Sequence, residues 1–263
     1  MKKLNQYITE YIVKKKLDKP INSEDHYEYF PKTKKELRET IQKLLDKNIY
    51  NFNCIDTSAI TDMANLFCNE GFKKINFDVS GWDVSNVENM SQLFNDCEKF
   101  DCDLSNWNTS KVKYTDDMFF NCKNFTGKGI ENWNVSNVEV SSFMFYACKK
   151  FDCDLSNWDV SNIMYMDSMF EYCYKFTGKG LENWNVSNVI VFEEMFLDCK
   201  NFNSDLFNWN VSNSDNLMNM FKGCSKFKGK GIENWNVKDG TKYYNMFAEC
   251  NSIKKYPDWY IQN

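Results

Sequence analysis

The tripeptide Gly-Lys-Gly occurs three times and is the pattern that most readily suggests chemistry. Its lysines, Lys128, Lys179 and Lys230, recur at a constant interval. A glycine-rich loop can cradle phosphate when it leads into a helix and ends in Lys followed by Ser or Thr. Here each lysine is followed by Gly, and a Trp follows shortly after, which leaves no continuous helix start. A segment that returns at a fixed interval indicates architecture rather than a nucleotide site.

The sequence contains few combinations of residues that could form a catalytic or metal-binding site. The single histidine, His26, lies in the polar segment NSEDHYEY. The pairs Asp101/Asp103 and Asp152/Asp154 could bind calcium or act as acid and base, but Asp-x-Asp on alternate positions is typical of a solvated strand face. We therefore expect no enzyme, no catalytic residue, no cofactor and no metal.

Of the eleven cysteines, seven follow a regular spacing that favours a structural role. A buried free cysteine behaves as a small hydrophobe, and zinc needs four converging ligands, whereas these cysteines form a linear series. We expect buried free thiols, with disulfides between repeats and metal binding as the alternatives. The cysteines that follow a Trp at one fixed spacing are Cys97, Cys122, Cys148, Cys173, Cys199, Cys224 and Cys250.

Composition narrows the class of protein. The chain has 263 residues, 43% of them hydrophobic and 17% aromatic, and a net charge of −5. An acidic balance argues against a nucleic-acid binder. No apolar run reaches the roughly 18 residues of a membrane span, and the start lacks the apolar region of a signal peptide. We expect no membrane span, and a cytoplasmic or virion-associated location rather than secretion.

Tryptophans mark a repeat whose length alternates between two values, the shorter as from Trp82 to Trp107 and the longer as from Trp107 to Trp133. A Phe follows each of these tryptophans at one fixed spacing. Ile55 and Phe67 indicate one further, degenerate unit, so we predict eight repeats over residues 51–250. The tryptophans are Trp82, Trp107, Trp133, Trp158, Trp184, Trp209 and Trp235.

Each repeat is predicted to be a strand, a turn and one or two turns of helix. Residues 100 to 104 alternate apolar and polar, the signature of a half-buried strand. After the Trp the apolar spacing becomes helical, and Ser85 with Glu88 forms a capping box. The apolar residues of that second segment are Val87, Met90, Leu93, Phe94 and Cys97. One such unit cannot bury its own apolar face, so neighbours must stack.

The segment FDCDLSNWDVSNIMYMDSMFEYC, from Phe151 to Cys173, resembles the BspA-like leucine-rich repeats, also described as mycoplasma-type surface repeats. The resemblance covers about three quarters of the chain. Departures are the Gly-Lys-Gly insertions, the cysteine enrichment, Lys238-Asp239-Gly240 in place of Ser-Asn-Val, and the absence of an export signal. The resemblance implies a protein-binding or adhesive solenoid.

The predicted fold is thus α/β: a right-handed, leucine-rich-repeat-like solenoid with a parallel sheet on one side and short helices on the other. Residues 1–50 are predicted to form a helical N-terminal cap, with helices over about Lys2 to Lys16 and Thr33 to Lys47. The second helix opens with a capping box from Thr33 to Glu36. Residues 251–263, with Pro257, are predicted to form a C-terminal cap.

Charges on the predicted outward strand face alternate in sign from repeat to repeat. Alternation relieves the repulsion of stacked like charges, and it could also pattern a recognition surface. We expect a non-catalytic interaction or adhesion module that binds a protein partner; the alternative is a structural component of a virion or cell surface that self-associates through its ends or edges. The residues of this candidate face are Asp101, Asp103, Lys128, Glu131, Asp152, Asp154, Lys179, Glu182, Asp205, Lys230 and Glu233.

Overall fold

The computed structural model describes residues 27–261, in which regular helix is scarce. The α-helix of this part, α1, spans Lys34–Asp46, and two 3-10 helices span Leu181–Asn183 and Ile232–Asn234. The predicted helix over Lys2 to Lys16 and the histidine His26 lie outside the described residues.

Helix α1 lies where the sequence predicts it. The Thr33 hydroxyl accepts a hydrogen bond from the Glu36 N–H at 3.2 Å, and the Glu36 carboxylate accepts one from the Lys32 N–H at 2.6 Å. The first bond satisfies an N–H group that a helix start leaves without an intrahelical partner, and the second fixes the chain just before the N-cap. The side chains that α1 buries are Leu37, Thr40, Ile41 and Leu44.

Successive repeats are joined by single parallel bridges instead of strands. The bridges run from Asn89 to Tyr114 and from there to Val140, and the same register continues to Lys242. No bridge within the described residues extends into a strand, so the predicted parallel sheet is wrong. The helices predicted after each Trp are also absent from the described repeats, so the α/β leucine-rich-repeat-like solenoid is not the observed fold.

Two consecutive β-turns replace the predicted helix in each described repeat that carries a Trp. In the second repeat the Leu93 N–H donates to the Met90 carbonyl at 3.1 Å, and the Cys97 N–H donates to the Phe94 carbonyl at 2.9 Å. The third residue of each turn has a left-handed backbone, as at Gln92 with φ 58°. The first and fourth residues of both turns are buried, which reproduces the i, i+3, i+4, i+7 spacing of a helical face.

The turns also hydrogen-bond to the next repeat, always in the same direction. The Met90 N–H donates to the Tyr114 carbonyl at 2.9 Å, the Asp96 N–H donates to the Phe120 carbonyl at 2.8 Å, and two similar bonds lie between them. Bonds in the opposite direction are fewer, as at the Lys113 N–H. We call this set of forward bonds the turn ladder.

The core consists of columns of like side chains. The Trp107 and Trp133 rings stack with centroids 6.0 Å apart and planes 1° apart, and Phe119 stacks on Phe145 at 5.6 Å. Each indole N–H also donates to a carbonyl of the preceding repeat, as from Trp133 to Leu104 at 3.2 Å. The same tryptophan therefore buries its ring in the core and gives a hydrogen bond to a carbonyl group of the preceding repeat.

The cysteine column has a comparable role. All eleven cysteines are free thiols, and within the column the Cys148 thiol donates to the Phe119 carbonyl at 3.0 Å. Burial raises the pKa of the Cys102 thiol, which lies outside the column, to about 12. Cys68 is exposed and Cys54 is half-buried. Since the thiolate is the reactive species, the buried thiols should be inert in the folded protein.

We predict that a thiol reagent at pH 8 labels Cys68 fast, Cys54 more slowly and the other nine cysteines only after unfolding. Mass spectrometry of labelled peptides would measure this order, with the unfolded protein reaching all eleven. Cys68→Ser is the control, because it should remove the fast phase alone. Rapid native labelling of Cys148 or Cys173 would contradict the buried column.

Candidate functional site

The lysines of the three Gly-Lys-Gly segments each pair with an aspartate of the preceding repeat. The Lys128 ammonium group lies 3.0 Å from the Asp103 carboxylate, and this hydrogen bond lowers the pKa of Asp103. The predicted alternation of charge is thus a series of ion pairs. The equivalent pairs, at 2.7 Å and 2.6 Å, are Lys179 with Asp154 and Lys230 with Asp205.

Most other acids of the predicted face bind backbone groups. The Asp101 carboxylate accepts from the Thr126 N–H at 3.0 Å and from its hydroxyl at 2.8 Å. The Glu131 carboxylate accepts from the Gly129 N–H at 2.9 Å. Glu233 lies near Lys230, and its charge contributes to the raised pKa of that lysine after the larger effect of Asp205. The equivalent contacts are Asp152 with Thr177 and Glu182 with Gly180.

The glycines of these segments allow the backbone to pack closely against the neighbouring repeats. Gly127 and Gly129 have φ values of 91° and 89°, a region that residues with a side chain avoid. A Cβ atom on Gly129 would lie 2.3 Å from the Ser105 nitrogen of the preceding repeat. With its N–H already bound to Glu131, Gly129 offers no free donor to a phosphate, which agrees with an architectural role.

A second surface carries an unbalanced negative charge. It consists of the two middle positions of each β-turn, which in the second repeat are Ser91, Gln92, Asn95 and Asp96, and we call it the acidic turn face. Within the described repeats that carry a Trp, Lys222 is the one basic residue at these positions. Its acids are Asp96, Asp116, Asp117, Asp167, Glu171, Glu193, Glu194, Asp198 and Glu249.

Neutral side chains, more than cations, hold these acids in place. The Asp116 carboxylate accepts from the Ser91 hydroxyl at 2.6 Å. Asp198 is an exception, because the Lys200 ammonium group lies 2.5 Å from it. Neutral donors orient a carboxylate without cancelling its charge, so the face stays negative. Similar neutral pairs are Asp96 with Asn121, Asp167 with Ser142 and Glu193 with Asn216.

Burial and mutual repulsion raise the pKa of two acids on this face. Glu171 is only 6% exposed; burial, and then the charge of Glu194, raises its pKa to about 7 although the Ser168 hydrogen bond opposes the shift. Burial, and then the charge of Asp116, likewise raises the pKa of Asp117. Raised carboxyl pKa values mark a place where added positive charge would be favourable.

Sequence reasoning missed the acidic turn face because it assigned these positions to the solvent side of short helices, where acids are ordinary. The available signal was the excess of acids over bases at four fixed positions of the repeat.

Two further properties of the described residues bear on function. No group of three or more His, Cys, Asp or Glu side chains in residues 27–261 is arranged to hold a metal ion. In the same part of the chain, no helix is long and apolar enough to cross a membrane.

Comparison with known proteins gives one match. The family model described as "Mycoplasma protein of unknown function, DUF285" matches residues 35–158 and again residues 141–259. No curated protein and no solved structure matches the chain. The double match agrees with the repeat pattern and extends over α1 as well as the repeats.

We predict that Gly129→Ala lowers the free energy of unfolding by about 3 kcal/mol. Holding an Ala in the left-handed conformation costs roughly 1–2 kcal/mol, and overpacking against Ser105 accounts for the rest. Urea unfolding would measure the change. The matched control is Gly240→Ala, at φ 85° with no atom within 4 Å of the added Cβ, which should lose only about 1 kcal/mol. Equal losses for the two variants would refute the close-packing role.

We predict that Glu171→Gln stabilises the protein by about 2–3 kcal/mol at pH 8 and gives no gain below pH 4.5. The folded pKa of Glu171, about 7, lies above the ordinary value of 4.5. The folded state therefore binds the proton more tightly, and stability falls as the pH rises from 4.5 through 7. Urea unfolding at several pH values would test this, with exposed Glu70→Gln as the control; a pH-independent difference would contradict the assignment.

Proposed function

This chain belongs to the DUF285 family of mycoplasma proteins, and we propose that it is a non-catalytic protein-binding scaffold whose acidic turn face holds a cationic segment of a partner. The observation that carries the proposal is the excess of carboxylates over lysines on that face.

The arrangement of the acids supports a cationic partner. Charges of one sign along several stacked repeats add up to a potential that steers an oppositely charged protein and raises its association rate. Glu171, Glu194 and Asp198 are close enough for the latter two to raise the pKa of the first. A lysine or arginine of the partner placed there would reverse the shift, so that binding and ionisation of Glu171 support each other.

The face predicted from the sequence is a weaker candidate. Its lysines neutralise Asp103, Asp154 and Asp205 within the protein. A partner would have to break these pairs, or leave them and bind the remaining carboxylates, most of which already accept hydrogen bonds from backbone N–H groups.

The finer identification with BspA-like leucine-rich repeats, and the adhesive role it implies, stays a prediction. So do the absence of enzymatic activity, the cytoplasmic or virion-associated location, and self-association of a structural component.

We predict that removing three charges from the acidic turn face weakens binding of a fluorescent lysine-rich peptide about tenfold. The variant is Asp116→Asn, Asp167→Asn and Glu193→Gln, in which each new side chain keeps one carbonyl oxygen as acceptor. Fluorescence anisotropy at several salt concentrations would measure the dissociation constant, and the variant should show a weaker salt dependence.

The control variant changes net charge equally at exposed sites elsewhere: Glu70→Gln, Asp239→Asn and Asp258→Asn. It should bind the peptide within about twofold of the unchanged protein. If both variants lose affinity equally, the peptide senses net charge alone and the acidic turn face is not its site.

A further inference from the structure

The turn ladder gives the stack two chemically different ends. Since its N–H groups donate forward to the following repeat, the described residues 27–261 contain no earlier repeat that donates to the carbonyls of the first repeat and no later repeat that accepts from the N–H groups of the last. Aligned peptide dipoles make the first end negative and the second positive, as in an α-helix but with opposite order along the chain.

The N-terminal end is covered by α1. The Arg38 guanidinium donates to the Asn65 carbonyl at 2.9 Å and to the Ala64 carbonyl at 3.5 Å. Leu37 and Ile41 are at most 2% exposed. Of these two carbonyls, that of Ala64 stands at a position of the turn ladder, so one cationic contact and the apolar face of α1 cover this end.

The C-terminal end is only half completed. Trp259 stacks on Trp235 at 6.2 Å, and its indole N–H donates to the Ile232 carbonyl at 2.9 Å, as the tryptophans of the repeats do. Tyr260 packs against Phe247 with centroids 4.9 Å apart. Trp259 therefore continues the column of stacked tryptophans beyond Trp235.

Within the described residues, no further repeat accepts the forward hydrogen bonds of the turn ladder after the last repeat. The N–H groups of Tyr243, Asn245 and Glu249 have no acceptor there, and only the Phe247 N–H meets a group, the Tyr260 hydroxyl. Beside this edge lies a cavity of about 560 Å³, lined in part by Ile261.

We propose that this open edge is a docking site for a turn-pair segment of the same repeat type, supplied by another polypeptide chain. Every preceding interface shows what such a segment provides. In the chain itself, the carbonyls of Val140, Ser142, Met144 and Tyr146 accept from the preceding repeat at 3.1, 2.9, 2.9 and 2.7 Å. The edge at 243 to 249 presents donors at the same alternate positions, with the exposed Tyr244 and Ile261, at 58% and 66%, as apolar contacts beside it.

A second copy of this chain is the poorer occupant. The edge it would have to offer is the carbonyl edge of its first repeat, where Arg38 already donates to the Ala64 carbonyl and α1 covers the core. Docking of a second copy would require α1 to leave. The polarity excludes pairing of two C-terminal ends through the ladder, because both present donors.

The test uses the full chain, labelled with ¹⁵N, and a synthetic peptide with the sequence of residues 135–148, VSNVEVSSFMFYAC. At about 1 mM peptide and with reductant present, amide exchange of Tyr243, Asn245 and Glu249 should slow about tenfold. Amides inside the stack, such as Phe119, should not change. A peptide of the same composition in scrambled order should have no effect.

Two variants complete the experiment. Ile261→Asp should abolish the protection, whereas Phe207→Asp, at a side chain 61% exposed away from this edge, should keep it. Unchanged exchange at the three edge amides, or equal protection by the scrambled peptide, would overturn the proposal. Self-association of the chain without peptide, with protection of the same amides, would replace the proposed occupant by a second copy and so also overturn it.

Discussion

The forward hydrogen bonds of the turn ladder are the constraint on which the remaining structure depends. A left-handed residue turns its peptide so that its N–H meets the next repeat, as Gln92 does with the Asp116 carbonyl at 2.8 Å. That conformation costs an L-residue roughly 1–2 kcal/mol, while a buried N–H without an acceptor costs about 1–3 kcal/mol. The two are comparable, so the strained turn is tolerated wherever another repeat follows. With the turns fixed, their first and last residues must point inward, and the aromatic and cysteine columns result.

This geometry explains which part of the fold sequence reasoning could predict. The repeat length, the columns of like residues and helix α1 follow from residue spacing and capping chemistry, and the structure has all three. The strand and helix within each repeat do not follow, because two β-turns in succession bury positions i, i+3, i+4 and i+7 just as a helix does. Apolar spacing cannot separate these possibilities. Residues that favour a left-handed backbone would separate a helix from two β-turns. At Phe143, Tyr172 and Glu194, however, the left-handed residues are of types with no preference for that conformation.

The candidate site, like the fold, could be predicted from the sequence only in part. Lys128 and Asp103 could be brought together from sequence, since the repeat length places them on neighbouring repeats and opposite charges favour contact. Their mutual neutralisation changes what the face offers a partner: the alternating charges cancel in pairs, and the negative excess that remains is smaller than that of the acidic turn face. The acidic turn face was missed for another reason: its four positions share one side of a helix as well, and acids are ordinary on a solvent-facing helix side.

The alternation of two unlike repeats has a steric explanation in the glycines. A Cβ atom on Gly129 would meet the backbone of the preceding repeat at Ser105, and one on Gly127 would meet the Cys153 side chain of the following repeat at 2.6 Å. The Gly-Lys-Gly repeat is thus held between two repeats of the other kind, close to the backbone of one and to the side chains of the next. The same lysine finds its aspartate only in a repeat of the other kind, at Asp103. Packing and ion pairing both favour strict alternation, so the unit of this architecture is the pair of unlike repeats, and a single repeat replaced by its neighbour's type would lose both complementary contacts.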